Sequence, residues 1–325
     1  MKILTDSFGR IYKYLRISVT DRCNYKCKYC TSYDNFPFIN HNKILTYEDV
    51  CFLAEVLSEN GISKLRITGG EPLIRRNLPV LIKSLCKIKT INEVTLTTNG
   101  SLLHKFAKDL LDAGIRRINI SLDSLRAEKY SFITGGFDIN IILNNIKLVQ
   151  ILNFKPIKIN TVIVKGFNDD EIIDFCNFAA DSGVIVRFIE FMPAGNNNWD
   201  IGRIIKSSSL LKLISQYFNL IELSDDHSSS RNYRLSNGAV IGLITPISNH
   251  FCFNCDKLRL TVDGKIKPCL LADIEIDLFD TIRHRDASRL IALVEESLSL
   301  KGIEHNDPCR QKKKLTERPM SSTGG

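Results

Sequence analysis

Strand-like and helix-like stretches alternate along the first part of the chain, and this alternation limits the possible folds more than any other feature. Apolar runs at residues 14–19, 64–68, 93–97, 117–123, 156–164 and 184–192 read as strands. In the first, Leu15, Ile17 and Val19 alternate with polar neighbours, the period of a strand with one buried face. Helical periodicity occupies 46–60, a stretch beginning near Asn77, 102–113, 138–153 and 169–182. Thr46 is placed to cap the first helix, and Gly61 and Gly114 to end two of them. The result is six strand–helix units, which predict an α/β protein with a parallel sheet and helices outside it. A partial barrel and a doubly wound sheet both satisfy the pattern. No G-x-G-x-x-G follows a strand, which weighs against the dinucleotide-binding version.

In a barrel, chemistry collects at the C-terminal ends of the strands. The polar residues near those ends are Arg66, Gly70, Thr97, Ser121 and Arg187, with Met192 just beyond. Lys158 lies between Ile157 and Ile159. If those isoleucines face the helices, Lys158 points into the barrel, where a lysine needs an anion. Directly after the first strand comes Cys23-Asn24-Tyr25-Lys26-Cys27-Lys28-Tyr29-Cys30, a C-x3-C-x2-C loop. Three thiolates from one short loop can bind one face of a metal centre and leave a position open. Structural zinc usually takes four protein ligands, and a cubane iron–sulfur cluster four cysteines. Three cysteines therefore point to a cluster with one open iron, to zinc with a distant fourth ligand, or to unrelated buried thiols. After the second strand stands Gly69-Gly70-Glu71-Pro72. Two glycines let backbone approach a ligand closely, and acceptors there would meet the ammonium of a zwitterion. The plainer alternative is a turn into the helix near Asn77.

Past Trp199 the pattern changes. Residues 224–232 are polar and read as a loop, 239–244 as a strand, and 257–267 as a hairpin around Asp263-Gly264. Cys252 and Cys255 precede that hairpin and Cys269 comes after it, giving C-x2-C-x13-C. Spacing alone leaves zinc, with His250 as a possible fourth ligand, and a second cluster equally open. Two further helical segments lie near 277–283 and 287–300. The polar tail, 305–325, is expected to be flexible and ends in Gly324-Gly325. The expected division is 1–222, 223–304 and 305–325.

Ten cysteines would suit a disulfide framework in a secreted protein, but residues 1–10 carry no apolar leader segment and six of the ten fall in the two groups, so metal ligation is favoured. Cys51, Cys86 and Cys176 lie in apolar helical contexts and read as core. No window approaches eighteen apolar residues, so no membrane span is expected and the cytoplasm is the expected location. The formal charge of +8 favours an anionic partner. Basic residues are dispersed apart from Lys312 to Lys314, without an aromatic–basic platform, so no nucleic acid is expected.

The N-terminal loop, with Tyr29 before its last cysteine, resembles the cluster loop of radical S-adenosylmethionine (SAM) enzymes. Adding the C-x2-C-x13-C group and the terminal Gly-Gly, the chain resembles the GTP 3′,8-cyclase family of molybdenum cofactor biosynthesis. The likeness also runs through Leu4-Thr5-Asp6-Ser7-Phe8-Gly9-Arg10, Thr20-Asp21-Arg22-Cys23-Asn24, residues 65–73, 97–100 and Phe191-Met192-Pro193-Ala194-Gly195-Asn196. It implies a partial (β/α)6 TIM-type barrel with a C-terminal extension carrying a second cluster. Cys23, Cys27 and Cys30 would hold a [4Fe-4S] cluster that binds and cleaves SAM, with Tyr29, Gly70, Ser121 and Met192 as SAM contacts. Cys252, Cys255 and Cys269 would hold a second [4Fe-4S] cluster facing the guanine base. Arg16, Arg66, Thr97, Lys158, Arg187, Lys257 and Arg259 would bind GTP. The implied reaction takes hydrogen from ribose C3′ and joins C3′ to guanine C8. The implied partners are a flavodoxin- or ferredoxin-like electron donor, a cyclic pyranopterin monophosphate synthase that receives the product, and a second copy in a homodimer. The Gly-Gly tail would reach into the active site.

Two positions depart from the family pattern. Lys257 stands where an arginine is usual, which keeps charge but loses the bidentate fork. Thr323 stands where an aliphatic residue is usual. The competing expectations are a peptide-modifying radical SAM enzyme and a zinc-stabilised nucleic-acid-binding protein.

Overall fold

The computed structural model describes residues 3–30, 38–194, 197, 200–223, 229–272, 274–302 and 318–323. Strand and helix alternate as expected: β1 (Tyr14–Ser18), α1 (Tyr47–Ser58), β2 (Lys64–Thr68), α2 (Leu78–Leu85), β3 (Glu93–Thr98), α3 (Leu103–Ala113), β4 (Ile118–Ser121), α4 (Ala127–Thr134), α5 (Ile139–Ile151), β5 (Ile157–Ile163), α6 (Ile172–Ser182) and β6 (Ile185–Glu190). Thr46 caps α1 through a reciprocal box, its hydroxyl accepting from Asp49 N while Asp49 accepts from Thr46 N. The short α4 is absent from the sequence pattern. It separates β4 from the longer α5 and braces the cysteine loop.

The C-terminal part adds α7 (Ser207–Ser215), β7 (Leu220–Leu223), β8 (Arg231–Leu235), β9 (Val240–Ile244), β10 (Lys257–Leu260), β11 (Lys265–Lys267), β12 (Ile276–Asp277), α8 (Phe279–Arg283) and α9 (Ala287–Ser299). All strands form one sheet in the order β12-β11-β10-β1-β2-β3-β4-β5-β6-β9-β8-β7. β1 to β6 run parallel in sequence order. β10 then joins β1 in parallel, and β9 joins β6 in parallel. The extension therefore lengthens the curved sheet at both edges. The boundary expected at 222 falls inside β7, which pairs with β8. The expected loop 224–232 gives way to β8 at Arg231. Its charged outward residues hid the strand: Arg231 pairs with Glu222 across the hairpin, at 3.0 Å.

The two faces of the parallel strands differ in chemistry. Leu15, Ile17, Leu65, Ile67, Leu96, Ile118, Ile120, Ile157 and Ile159 are buried among the outer helices. The alternate positions are polar. Arg16 is in register with Arg66 on β2 and Arg259 on β10. Thr97 faces Asn119, Asn119 faces Lys158, and Asn160 faces Arg187. The outward apolar face supplies the core, which frees the inner face to carry a polar ligand. No described helix is long and apolar enough to cross a membrane.

Candidate active site

The N-terminal cysteine loop leaves the C-terminal end of β1 and lies on the Gly69–Gly70 turn that ends β2. Gly70 N donates to Thr20 O at 2.7 Å and Glu71 N to Arg22 O at 2.8 Å. A side chain at 70 would place its Cβ 2.1 Å from Arg22 O, and one at 69 would lie 2.5 Å from Thr20 O. The sequence offers these glycines either as a close approach to a ligand or as a plain turn; what approaches them within the chain is the cysteine loop itself. Lys26 N and Lys28 N donate to the carbonyls of Thr134 and Ile133 at the end of α4. Tyr25 stacks on Phe137 at 3.9 Å between centroids.

Burial pushes the Cys23 thiol up to about 11 and Cys30 to about 12, and Cys27 goes well above its ordinary value. For Cys27, Asp123, Cys30 and Cys23 add to the effect of burial, so the three thiols lie in one another's field. Such a set is held as thiolates by a cationic centre and by little else. Tyr25 N donates to Cys23 Sγ at 3.3 Å and Asn99 Nδ2 reaches it at 3.9 Å, further donors toward sulfur. Among the described residues no three His, Cys, Asp or Glu side chains converge on a single metal ion. A cubane asks for a wider spacing, since each thiolate binds a different iron. The donor set fits an iron–sulfur cluster.

The expected SAM positions lie on this loop (Tyr29) and at or just past the C-terminal ends of β2 (Gly70), β4 (Ser121) and β6 (Met192). Tyr29 Oη donates to Asp123 Oδ2 at 2.7 Å, just past β4. Burial raises the Asp123 carboxyl to about 6. Ser121 ends β4, in register with Asn160. Met192 lies two residues past β6 and packs, with Cys269 and Met320, against Ala194, Ile247 and Leu271. Gly195 and Asn196 lie outside the described residues. Asn99, inside the 97–100 stretch of the family likeness but given no role there, and Ser101, which the sequence leaves unmarked, also serve the loop. Asn99 Nδ2 donates to Asn24 Oδ1 at 2.9 Å, and Asn24 Nδ2 to Ser101 Oγ at 2.9 Å, tying the loop to the end of β3.

Below the loop, within the barrel, Arg259, Arg16 and Arg66 stand side by side on β10, β1 and β2. Burial, then Arg259 and Arg66, hold the Arg16 guanidinium well below its ordinary value. Burial and Arg66 bring Arg187 down to about 9. Arg66 Nε donates to the Tyr14 hydroxyl, and its Nη1 to Thr97 Oγ1 at 3.2 Å. Arg187 Nε is buried without a partner, as is Asn160 Oδ1 on the neighbouring strand. Lys158 is half-buried between the buried Ile157 and Ile159, as its alternation requires. Neighbouring guanidiniums that repel one another are chemically suited to a multiply charged anion.

Lys257 is in register with Tyr14, at the near end of the arginine row. Its ammonium reaches Asp256 Oδ1 at 2.9 Å. A guanidinium there would keep a second donor edge for phosphate, so Lys257→Arg should tighten GTP binding by roughly threefold to tenfold. Equilibrium dialysis checks this, and an unchanged dissociation constant would show that position 257 does not meet the anion.

The second cysteine group lies at the opposite end of these strands. Cys255 comes two residues before β10, and Cys269 two residues after β11, which returns antiparallel to β10. Arg10 Nη1 donates to Cys252 O at 2.9 Å and Nη2 to Gly302 O at 2.8 Å. Asp6 fixes Arg10, accepting from its Nε at 2.5 Å, and also accepts from Tyr12 Oη at 2.7 Å. Lys301, buried past the end of α9, points its ammonium at Cys255 Sγ, 3.5 Å away. Burial raises the Cys255 thiol, but Lys301 and Lys257 outweigh it and the net shift is downward. Nothing local in the sequence marks Lys301, because its partner is 46 positions away. His250 turns Nδ1 to Pro246 O at 2.6 Å.

A parallel barrel with a three-cysteine loop on its first strand is the architecture of a radical SAM protein. The profile of the Radical SAM superfamily matches residues 17–179, and that of Molybdenum Cofactor Synthesis C matches 184–307. The fold is similar to that of Streptococcus suis SuiB, with a TM-score of 0.64 at 14% identity over 96% of this chain and 78% of that one. A GTP 3′,8-cyclase of Peptoclostridium acidaminophilum is 46% identical over 297 residues, covering 90% of this chain and 91% of its own. One from Alkaliphilus metalliredigens is 40% identical over 99% of this chain and all of its own. The chain belongs to the GTP 3′,8-cyclase family within the radical SAM superfamily.

Proposed function

We propose that this chain converts GTP to 3′,8-cyclo-7,8-dihydro-GTP, the first step of molybdenum cofactor synthesis. The observation that carries the reading is the row Arg259–Arg16–Arg66, set along the strands between two three-cysteine groups. A triphosphate against that row, with Arg187, Lys158, Lys257 and Thr97 around it, leaves the ribose and base within the barrel. Cys23, Cys27 and Cys30 would hold a cluster that, with SAM bound, would supply the 5′-deoxyadenosyl radical for hydrogen abstraction at ribose C3′. Tyr29, Gly70, Ser121 and Met192 would orient SAM. Cys252, Cys255 and Cys269, braced by Arg10 and Lys301, would hold a second cluster at the guanine. The barrel wall keeps water from the substrate while C3′ joins C8. A flavodoxin- or ferredoxin-like donor would supply the electron in the cytoplasm, the product would pass to cyclic pyranopterin monophosphate synthase, and two copies would pair.

The test is iron and sulfide content after anaerobic reconstitution, on wild type and on a Cys252/Cys255/Cys269→Ala variant. About eight irons per chain should fall to about four. Wild type should form the cyclised product from GTP, SAM and dithionite, and the variant should not. About four irons in both proteins, with zinc lost from the variant, would leave a radical SAM enzyme with a structural zinc site.

A further inference from the structure

The tail expected to be flexible is packed over its described part, 318–323. Arg318 donates to both oxygens of Asp263, at 2.8 and 3.0 Å, and to both of Glu275, at 2.8 and 2.9 Å, and Ser321, Ser322 and Thr323 are buried. Tyr14 departs further from its sequence pattern, which marks it only as the start of a strand. Alternation with the buried Leu15 turns Tyr14 to the inner face that carries Arg16. Its backbone N donates to Asp256 O at 3.2 Å, and it is in register with Lys257 on β10 and Lys64 on β2. It therefore stands between the arginine row and the second cysteine group.

Two cations of the site meet on this one side chain. Arg66 Nε donates to the Tyr14 hydroxyl, and Arg66 Nη1 donates to Thr97 Oγ1 at 3.2 Å. Thr97 Oγ1 also accepts from Asn119 Nδ2 at 3.5 Å. The guanidinium is thus pinned at two of its nitrogens. Its Nη2 makes no hydrogen bond among the described residues. The Tyr14 ring centroid is 5.5 Å from the Arg66 guanidinium carbon and 5.8 Å from the Lys257 ammonium. Both lie within reach of the ring's quadrupole. Each cation is drawn to the ring while the two repel each other, which favours one fixed spacing. Burial raises the Tyr14 phenol, but Arg66 and Arg16 outweigh it and the net shift is downward, as expected of an oxygen that faces cations. We infer that Tyr14 is a positioning residue of the anion site: its hydroxyl fixes the Arg66 guanidinium with Nη2 directed to phosphate, and its ring spaces Arg66 from Lys257. Setting both cations before the anion arrives spares the ordering cost on binding. The inference rests on the basic row being the triphosphate site of the proposed function.

The experiment is equilibrium dialysis of reconstituted holoenzyme against GTP and, separately, against inorganic tripolyphosphate, which has neither base nor ribose. Wild type is compared with Tyr14→Phe, Tyr14→Leu, Arg66→Met and the Tyr14→Phe/Arg66→Met double variant. Tyr14→Phe keeps the ring and deletes the hydroxyl. It should raise both dissociation constants roughly tenfold, the worth of one hydrogen bond to a charged group. Tyr14→Leu also removes the ring from Lys257 and should lose about a further twofold to fivefold. In the Arg66→Met background, Tyr14→Phe should change neither constant, because the hydroxyl acts through that guanidinium. A merely structural tyrosine would give the same loss with and without Arg66, and that result would overturn the inference. So would unchanged constants in Tyr14→Phe, or wild-type affinity in Tyr14→Leu. Tripolyphosphate bound with these losses by a protein that does not bind GTP would fail the proposed function and keep this inference. Binding of neither anion by wild type would sink both.

Discussion

Arg16→Met should raise the thermal stability of the ligand-free protein while removing most of its affinity for GTP. Arg16 lies between Arg66 and Arg259 in strict strand register, and after burial those two cations have the largest effect on it. The three like charges repel one another in register, and a bound polyanion would relieve that repulsion. Exchanging charged groups of a crowded interior for apolar side chains of similar volume is commonly neutral or stabilising, by about 1–4 kcal/mol, and here the change also removes a repulsion. For a chain of this size that is a rise of roughly 2–5 °C in Tm. The same change deletes a charge-assisted contact to phosphate, about 2–3 kcal/mol, so the GTP dissociation constant should rise roughly 30- to 150-fold. Differential scanning calorimetry and equilibrium dialysis read the two effects on one preparation. A lower Tm would show that Arg16 is a structural strut, and an unchanged dissociation constant would remove it from the GTP site. Stability given up at a binding site is the usual signature of function, so the opposite signs are the informative result.

The six parallel strands are legible in the sequence because each carries a period-two pattern, apolar outward and polar inward. Lys158 between Ile157 and Ile159 is the plainest case, and the structure keeps that alternation. Both cysteine groups are visible as spacing. Pairing across long distances is not legible. β10 lies beside β1 although more than two hundred residues separate them, and no local pattern records which strand a parallel edge will accept. The arginines are therefore legible singly but not as a row. Lys301 and Arg318 escape notice for the same reason, since each is a surface-type residue in composition and becomes buried or anchored only through a distant partner. α4 escapes because it is short and weakly patterned, and α7 because it is short and lies where the strand–helix alternation has ended. The Gly69–Gly70 turn is legible, but its neighbour is not, because a glycine pair announces close approach without saying what approaches.

The crowding at that turn gives the second large effect. Gly70→Ala should strip the N-terminal cysteine loop of its iron while leaving the rest of the chain folded. The added Cβ would lie 2.1 Å from Arg22 O, 2.5 Å from Arg22 C and 3.0 Å from Cys23 N. All three are backbone atoms, which cannot swing aside as a side-chain tip can. The turn cannot yield in the other direction either. Glu71 is fully buried, and its carboxylate accepts from Leu73 N at 3.0 Å, Thr98 Oγ1 at 2.7 Å and Asn99 N at 2.7 Å. The loop has to move, and the bonds from Gly70 N to Thr20 O and from Glu71 N to Arg22 O go with it. Overpacking of this kind costs about 1–3 kcal/mol, more where backbone meets backbone. A cluster needs three sulfurs fixed together, so displacement of the Arg22–Cys23 peptide is felt most at the metal. Reconstituted Gly70→Ala should lose about four irons per chain. The signal that responds to SAM should vanish, while far-ultraviolet circular dichroism stays near wild type. Gly202→Ala is the comparison, since its Cβ would come no closer than 3.4 Å to Asp200 and should change neither reading. Full iron in Gly70→Ala would mean that the loop tolerates a shift of this size, and that the glycine is kept for the ligand above it after all.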